Sequence, residues 1–188
     1  MKKMLFRFFM VLLISFFLSG CLTTQYKEYR YTFNEDGSGS GSIKFINIVS
    51  EEDEEKDVSF SDFQELINDY LQGEQFETDN PDFIVTSKEL FEENGQLCAK
   101  VEFTFDHISA ASFFRYDNCE CSPMMYYAGD LSETVIETDG NAFSEDESIP
   151  VYFWNNKSTS YYIKTQVKDD ISDAHEMMDL YKIWNDKQ

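Results

Sequence analysis

The 188-residue chain is poor in the residues that shape linkers, phosphate loops and metal cages: three prolines, eight glycines and two histidines. Three prolines exclude polyproline spacers and recognition tracts. The glycines form one rich stretch, Gly37–Gly41, and no Gly-Lys-Ser/Thr follows it, so a phosphate-binding loop is excluded. Two histidines cannot build a three-histidine metal site. Cations are scarce as well: 15 Lys+Arg stand against 36 Asp+Glu, for a formal net charge of −21. Such a balance repels phosphate backbones and excludes nucleic acid as a partner. No Gly-x-Ser-x-Gly elbow occurs, which removes local support for a serine hydrolase. The longest apolar run, Phe8–Leu18, has eleven residues, well short of the roughly 20 that span a bilayer.

What is present is enough apolar area to close a core, with 42% hydrophobic and 16% aromatic residues. The N-terminus pairs Lys2, Lys3 and Arg7 with the apolar run and ends in Leu18-Ser19-Gly20-Cys21. This order resembles the lipobox signal peptide of bacterial lipoproteins. The resemblance implies that residues 1–20 are a signal peptide and that Cys21 is lipidated. It places the protein in the bacterial cell envelope, on the non-cytoplasmic side of a membrane, and Leu22 in place of an acid after the cysteine implies the outer membrane. Two or three acyl chains at about 0.8 kcal/mol per buried CH₂ hold such a chain firmly. The expected organisation is a signal peptide (1–20), a lipidated tether (21–25) and one domain (26–188). Beyond residue 20 the chain carries 12 basic and 36 acidic residues.

Along that domain, Tyr29, Tyr31 and Phe33 alternate with polar residues, the period of a half-buried strand. The turn Asn34–Gly41 and a second strand through Ile43–Val49 complete a hairpin. A helix is expected after the acidic run Glu51–Asp57. Ser61 and Gln64 fit a capping box, and Phe63, Leu66, Ile67, Tyr70 and Leu71 form its apolar stripe. Asn94-Gly95 is the strongest turn signal, joining a strand in Phe83–Phe91 to the alternating strand Leu97–Phe105. A short helix over Ser109–Tyr116, an irregular region over Asp117–Asp130 and a strand at Thr134–Thr138 follow. Val151–Trp154 and Ser160–Val167 are expected to form a hairpin, and Asp169–Ser172 to open a C-terminal helix. Its stripe is Ala174, Met177, Met178, Tyr181 and Trp184. The fold class is therefore α+β, a mainly antiparallel sheet of hairpins with an amphipathic helix after the first hairpin and a C-terminal helix.

Constellations that carry chemistry are thin. Asn34–Gly39 superficially matches a calcium loop, but Phe45 stands where its twelfth-position glutamate belongs. His175-Glu176 with Asp179 resembles the start of a metalloprotease helix, yet Asp179 occupies the place of the second histidine. No metal site and no cofactor are expected. Outside Cys21, three thiols remain, and an oxidising compartment favours one disulfide from Cys98 to Cys119 or Cys121. A thiol redox pair or metal site at Cys119 and Cys121 is the alternative, without the Cys-x-x-Cys spacing. Met124, Met125, Tyr126, Tyr127, Trp154, Tyr161 and Tyr162 form a candidate binding surface, since aromatics and methionine are enriched at interfaces.

The start of the mature chain, a lipidated cysteine, a strand, Asn34-Glu-Asp-Gly-Ser-Gly39 and another strand, is similar to LppM-like envelope lipoproteins over residues 21–50. The similarity implies a small α+β envelope domain and transfers no functional residue. The leading functional expectation is a non-enzymatic binding or assembly module, anchored by its lipid to the membrane and partnered by an envelope protein. A carrier or chaperone for a lipid or other apolar ligand is the alternative, distinguished by a continuous apolar pocket. A thiol redox or metal-binding protein is the third reading.

Overall fold

The computed structural model describes residues 22–53, 56–116, 122–129, 132–143 and 150–188. In chain order these form β1 (Leu22–Phe33), β2 (Gly39–Glu51), α1 (Ser59–Glu65) continuing as a π-helical segment (Leu66–Leu71), and α2 (Gln75–Asp79). Then come β3 (Ile84–Glu93), β4 (Gln96–Phe105), a 3-10 turn (Ile108–Ala111), β5 (Phe113–Phe114) and β6 (Met124–Tyr127). The chain continues through β7 (Thr134–Thr138), β8 (Asn141–Ala142), β9 (Val151–Trp154) and β10 (Ser160–Gln166) to β11 (Ala174–Glu176) and α3 (Met178–Asn185). The architecture is α+β and mostly antiparallel sheet.

The large sheet runs β3-β4-β2-β1-β10-β7, and β11 pairs with the end of β2. Two hairpins organise it. β1 and β2 pair from Leu22↔Ser50 to Phe33↔Gly39. β3 and β4 close through Asn94 and Gly95, both at positive φ, as a two-residue hairpin turn requires. β2 bends at Asn47, a buried residue with φ 59°, whose amide donates to Gln25 Oε1 at 3.0 Å. Asparagine tolerates this left-handed conformation better than most residues. β4 ends its pairing at Ile46↔Cys98, and past the bend β11 takes up Val49–Glu51.

Alternation decides the two faces of this sheet. Tyr29, Tyr31, Ile43, Val101, Phe103 and Phe105 are buried on the inner face. Their neighbours on the outer face form ion pairs, Lys164–Glu28, Lys100–Glu102 and Lys44–Glu93, and the Arg30 guanidinium lies 4.5 Å from the Tyr162 ring centroid. Pairs of this kind on a solvent-facing sheet hold each other weakly and serve mainly to solvate the face.

Two hydrophobic clusters cover the inner face. At one end, β5-β6-β9-β8 form a second sheet that packs Phe113, Met124, Tyr126 and Trp154 against Tyr31, Phe33 and Tyr161. Ring centroids there lie 4.9 Å apart for Phe33–Phe113 and 5.3 Å for Trp154–Tyr161. At the other end, α1 and α3 bury Phe63, Leu66, Met178 and Tyr181 on Ile48 and Leu97, with Leu22 packed alongside. Each such side chain contributes about 1.5–3 kcal/mol through burial. Phe45 and Tyr70 touch both clusters.

Several expectations need correction. Val151–Trp154 and Ser160–Gln166 do not form a hairpin: β9 pairs with β6 and β8, and β10 with β1 and β7. Trp154 is drawn into the aromatic cluster, which separates the two strands between sheets. Asp169–Ser172, expected to open the last helix, forms no helix; Ala174–Glu176 is strand β11, and the helix starts at Met178. Met177, Met178 and Tyr181 are buried as the stripe requires, because a strand–turn–helix reaches the same cluster. No side-chain cap forms at Ser61; α1 begins at Ser59, whose N–H donates to Asp57 Oδ1 at 2.9 Å. Within Ser109–Tyr116 a single 3-10 turn precedes β5, and the region thought irregular contains β6. β1 starts at Leu22, so the stretch expected as a tether through Gln25 is already strand.

Candidate functional site

Between the inner face of the large sheet and the segment 59–79 lies a partly open cavity of about 570 Å³. That size is ordinary for a small-ligand site, about 300–1,000 Å³. Ile43, Phe45, Ala99 and Val101 contribute the sheet wall, and Leu66, Tyr70, Leu71 and Phe76 the helical wall. Along β1 the lining runs from Leu22 to Tyr31, ten residues of strand or roughly 30 Å.

Polar groups enter this mainly apolar wall in two places: Lys88, paired with Glu77 at 3.0 Å, with Asp79 and Asn80 beside the helical wall, and a buried centre on β1. Lys27 lies on the inner face, opposite Phe45, and forms an ion pair with Glu133. Glu133 Oε2 also accepts the Tyr29 hydroxyl at 2.9 Å and the Thr165 hydroxyl at 2.6 Å. The Glu133 side chain is only 5% exposed and that of Lys27 is 23% exposed. Three donors converge on the carboxylate, which is how a buried charge is tolerated. Burial first, and the nearby Glu133 charge second, push the Tyr29 hydroxyl well above its ordinary range. Tyr126 is raised by the same two causes, and Tyr31 by burial above all. These hydroxyls remain neutral donors. Lys27 has three N–H donors, and a ligand's carbonyl or phosphate oxygen can take those that Glu133 leaves.

The expected binding surface is divided by strand alternation. Met124, Tyr126, Trp154 and Tyr161 are buried in the aromatic cluster and cannot contact a partner from outside. Tyr162 sits on the outer face of the large sheet under Arg30. Met125 and Tyr127 point outward from β6 and share a face with Phe114, Val151, Phe153 and, beyond β8, Phe143. Phe114 is 42%, Tyr127 43% and Phe143 66% exposed.

Cys98 is a buried free thiol in β4, and burial raises its pKa. Its expected disulfide partners Cys119 and Cys121, and the expected lipidation site Cys21, lie outside the described residues. His175 is in a strand, so the metalloprotease-like helix does not exist at this position. Its Nε2 stands 3.3 Å from Glu52 Oε1. His107 Nδ1 accepts the Ser109 N–H, opening the 3-10 turn. Among the described residues no group of three or more His, Cys, Asp or Glu is placed to hold a metal ion.

Lys27, Tyr29, Glu133 and Thr165 escaped the sequence reading as a group. Lys27 alone carried a signal: a cation in the inward register of a strand otherwise lined by Tyr29, Tyr31 and Phe33. Glu133 had none, since its partners lie 106, 104 and 32 residues away. No protein-family model, curated protein or solved structure matches the chain.

Proposed function

We propose that this chain is a membrane-anchored envelope lipoprotein that carries or holds a linear amphiphile, with its acyl chain in the cavity beneath β1. The observation behind this reading is the elongated, mainly apolar cavity with a buried polar centre at Lys27 and Glu133. Its length along β1, roughly 30 Å, suits an extended acyl chain. Lys27 offers donors to a carboxylate, phosphate or ester oxygen, and the neutral Tyr29 hydroxyl fixes the carboxylate of Glu133 beside it. The chemistry is recognition, with the ligand oriented by this pair. Fluorescence titration with cis-parinaric acid tests the proposal. Saturable 1:1 binding is expected, and Ala99→Phe, which fills the sheet wall, weakens it at least about tenfold. Binding unchanged in a folded Ala99→Phe variant sinks the assignment.

A second reading, an assembly module that binds an envelope protein, is favoured by one feature: the apolar outer face of the second sheet around Phe114, Met125 and Phe143. Contiguous exposed apolar patches mark interaction sites. Photo-crosslinking from position 143 in cells is expected to trap a protein, whereas position 102 on the charged outer face of the large sheet is not. Equal yields from both positions count against it.

A further inference from the structure

We infer that the Leu22–Thr24 end of the cavity is held against the anchoring membrane, so that an acyl chain of a neutral or zwitterionic lipid enters it sideways from the bilayer. The inference rests on the carrier reading and on acylation of Cys21. Leu22, Thr23 and Thr24, the three residues that follow Cys21, line the cavity themselves. They are also paired strand residues, Leu22 with Ser50 and Thr23 with Val49. No flexible spacer therefore separates the anchor from the site. A chain acylated at residue 21 places this end of the cavity within a few ångströms of the lipid headgroups, since consecutive Cα atoms are only ~3.8 Å apart.

The same end of the molecule carries two large apolar side chains that the core does not use. Phe60 on α1 is 64% exposed and Ile183 on α3 is 56% exposed. These helices, together with Leu22, build the second cluster. Apolar side chains beside an anchor are suited to the bilayer interface, which would explain their exposure. Glu51, Glu52, Asp53 and Asp57 lead into α1 at this end, and their charge disfavours anionic headgroups. The ligand class is thus a lipid with an uncharged or zwitterionic head, its acyl tail laid along the cavity.

The test uses the full lipidated protein in phosphatidylcholine vesicles, with acylation of Cys21 verified by mass. The probe is parinaroyl-lysophosphatidylcholine, and its induced circular dichroism reports the chain inside the asymmetric cavity. Loading is expected to be at least about tenfold faster when probe and protein share a vesicle than when they start in separate vesicles, reflecting high effective concentration. Inserting 20 Gly/Ser residues between Cys21 and Leu22 adds roughly 25 Å of reach and abolishes that advantage. Phe60→Asp with Ile183→Asp slows same-vesicle loading without changing the final dichroism. Equal rates in shared and separate vesicles, or a spacer without effect, overturn the inference and leave the carrier reading standing. A chain without acyl groups overturns it at the first step. No induced dichroism at saturating probe in any arrangement overturns both.

Discussion

The Tyr29 hydroxyl donates to Glu133 at 2.9 Å across 104 residues of sequence, and this bond ties β1 to the segment just before β7. Removing its two ends has unequal effects. Tyr29→Phe deletes one donor and leaves the carboxylate with Lys27 and Thr165, so about 1–2 kcal/mol is lost. Glu133→Ala strands Lys27, Tyr29 and Thr165 together and costs about 3 kcal/mol or more. Urea unfolding midpoints measure both; a Glu133→Ala variant as stable as the parent contradicts the network.

Alkaline pH attacks the same region. Tyr29, Tyr31 and Tyr126 all have hydroxyls raised above the ordinary value of 10.0 by burial. A group raised in the folded state contributes stability that is complete below its unfolded pKa and is lost as pH climbs toward the folded one. Unfolding is therefore expected to set in above about pH 10, with a slope of about 1.4 kcal/mol per pH unit for each tyrosine involved. Tyrosinate absorbance and far-ultraviolet dichroism should change together. Tyrosines that ionise in an intact sheet refute the prediction.

Glycine substitutions separate crowding from conformation. A Cβ on Gly39 would lie 2.4 Å from the Thr32 carbonyl oxygen and 2.6 Å from Phe105 Cζ. Gly39→Ala is expected to cost about 2–3 kcal/mol by overpacking the hairpin. Gly95 has nothing within 4 Å but sits at φ +80°, so Gly95→Ala costs about 1 kcal/mol through backbone strain alone. Thermal midpoints should rank the two; the reverse order is the refuting outcome.

Cys98 is fully buried and its thiol is pushed up by burial. Iodoacetamide at mildly alkaline pH should leave it unmodified in the native protein and alkylate it once urea unfolds the chain under reducing conditions. Peptide mass mapping reads the difference, and rapid native labelling contradicts the burial.

Local signals in the sequence were reliable where partners are adjacent in the chain. The Asn94-Gly95 turn fixed β3 against β4, and the alternation in Tyr29–Phe33 and Leu97–Phe105 identified the buried face correctly. They failed where partners are remote. Asn155–Thr159 has turn residues, yet its flanking strands belong to different sheets because Trp154 and Tyr161 meet edge-on inside the core. Met124 to Tyr127 looked like one patch, and the strand period split it into two buried and two outward residues. The cavity's polar centre was invisible for the same reason: Glu133 is defined by side chains from β1 and β10.

The chain has two tryptophans, and they report on different halves of the molecule. Trp154 is buried among the aromatic rings where the second sheet meets the first. Trp184 packs at the opposite end, its ring centroid 6.2 Å from that of Tyr181. Replacing either with phenylalanine leaves a single tryptophan in one half, so emission excited selectively at tryptophan can follow the melting of the two halves separately, without a label.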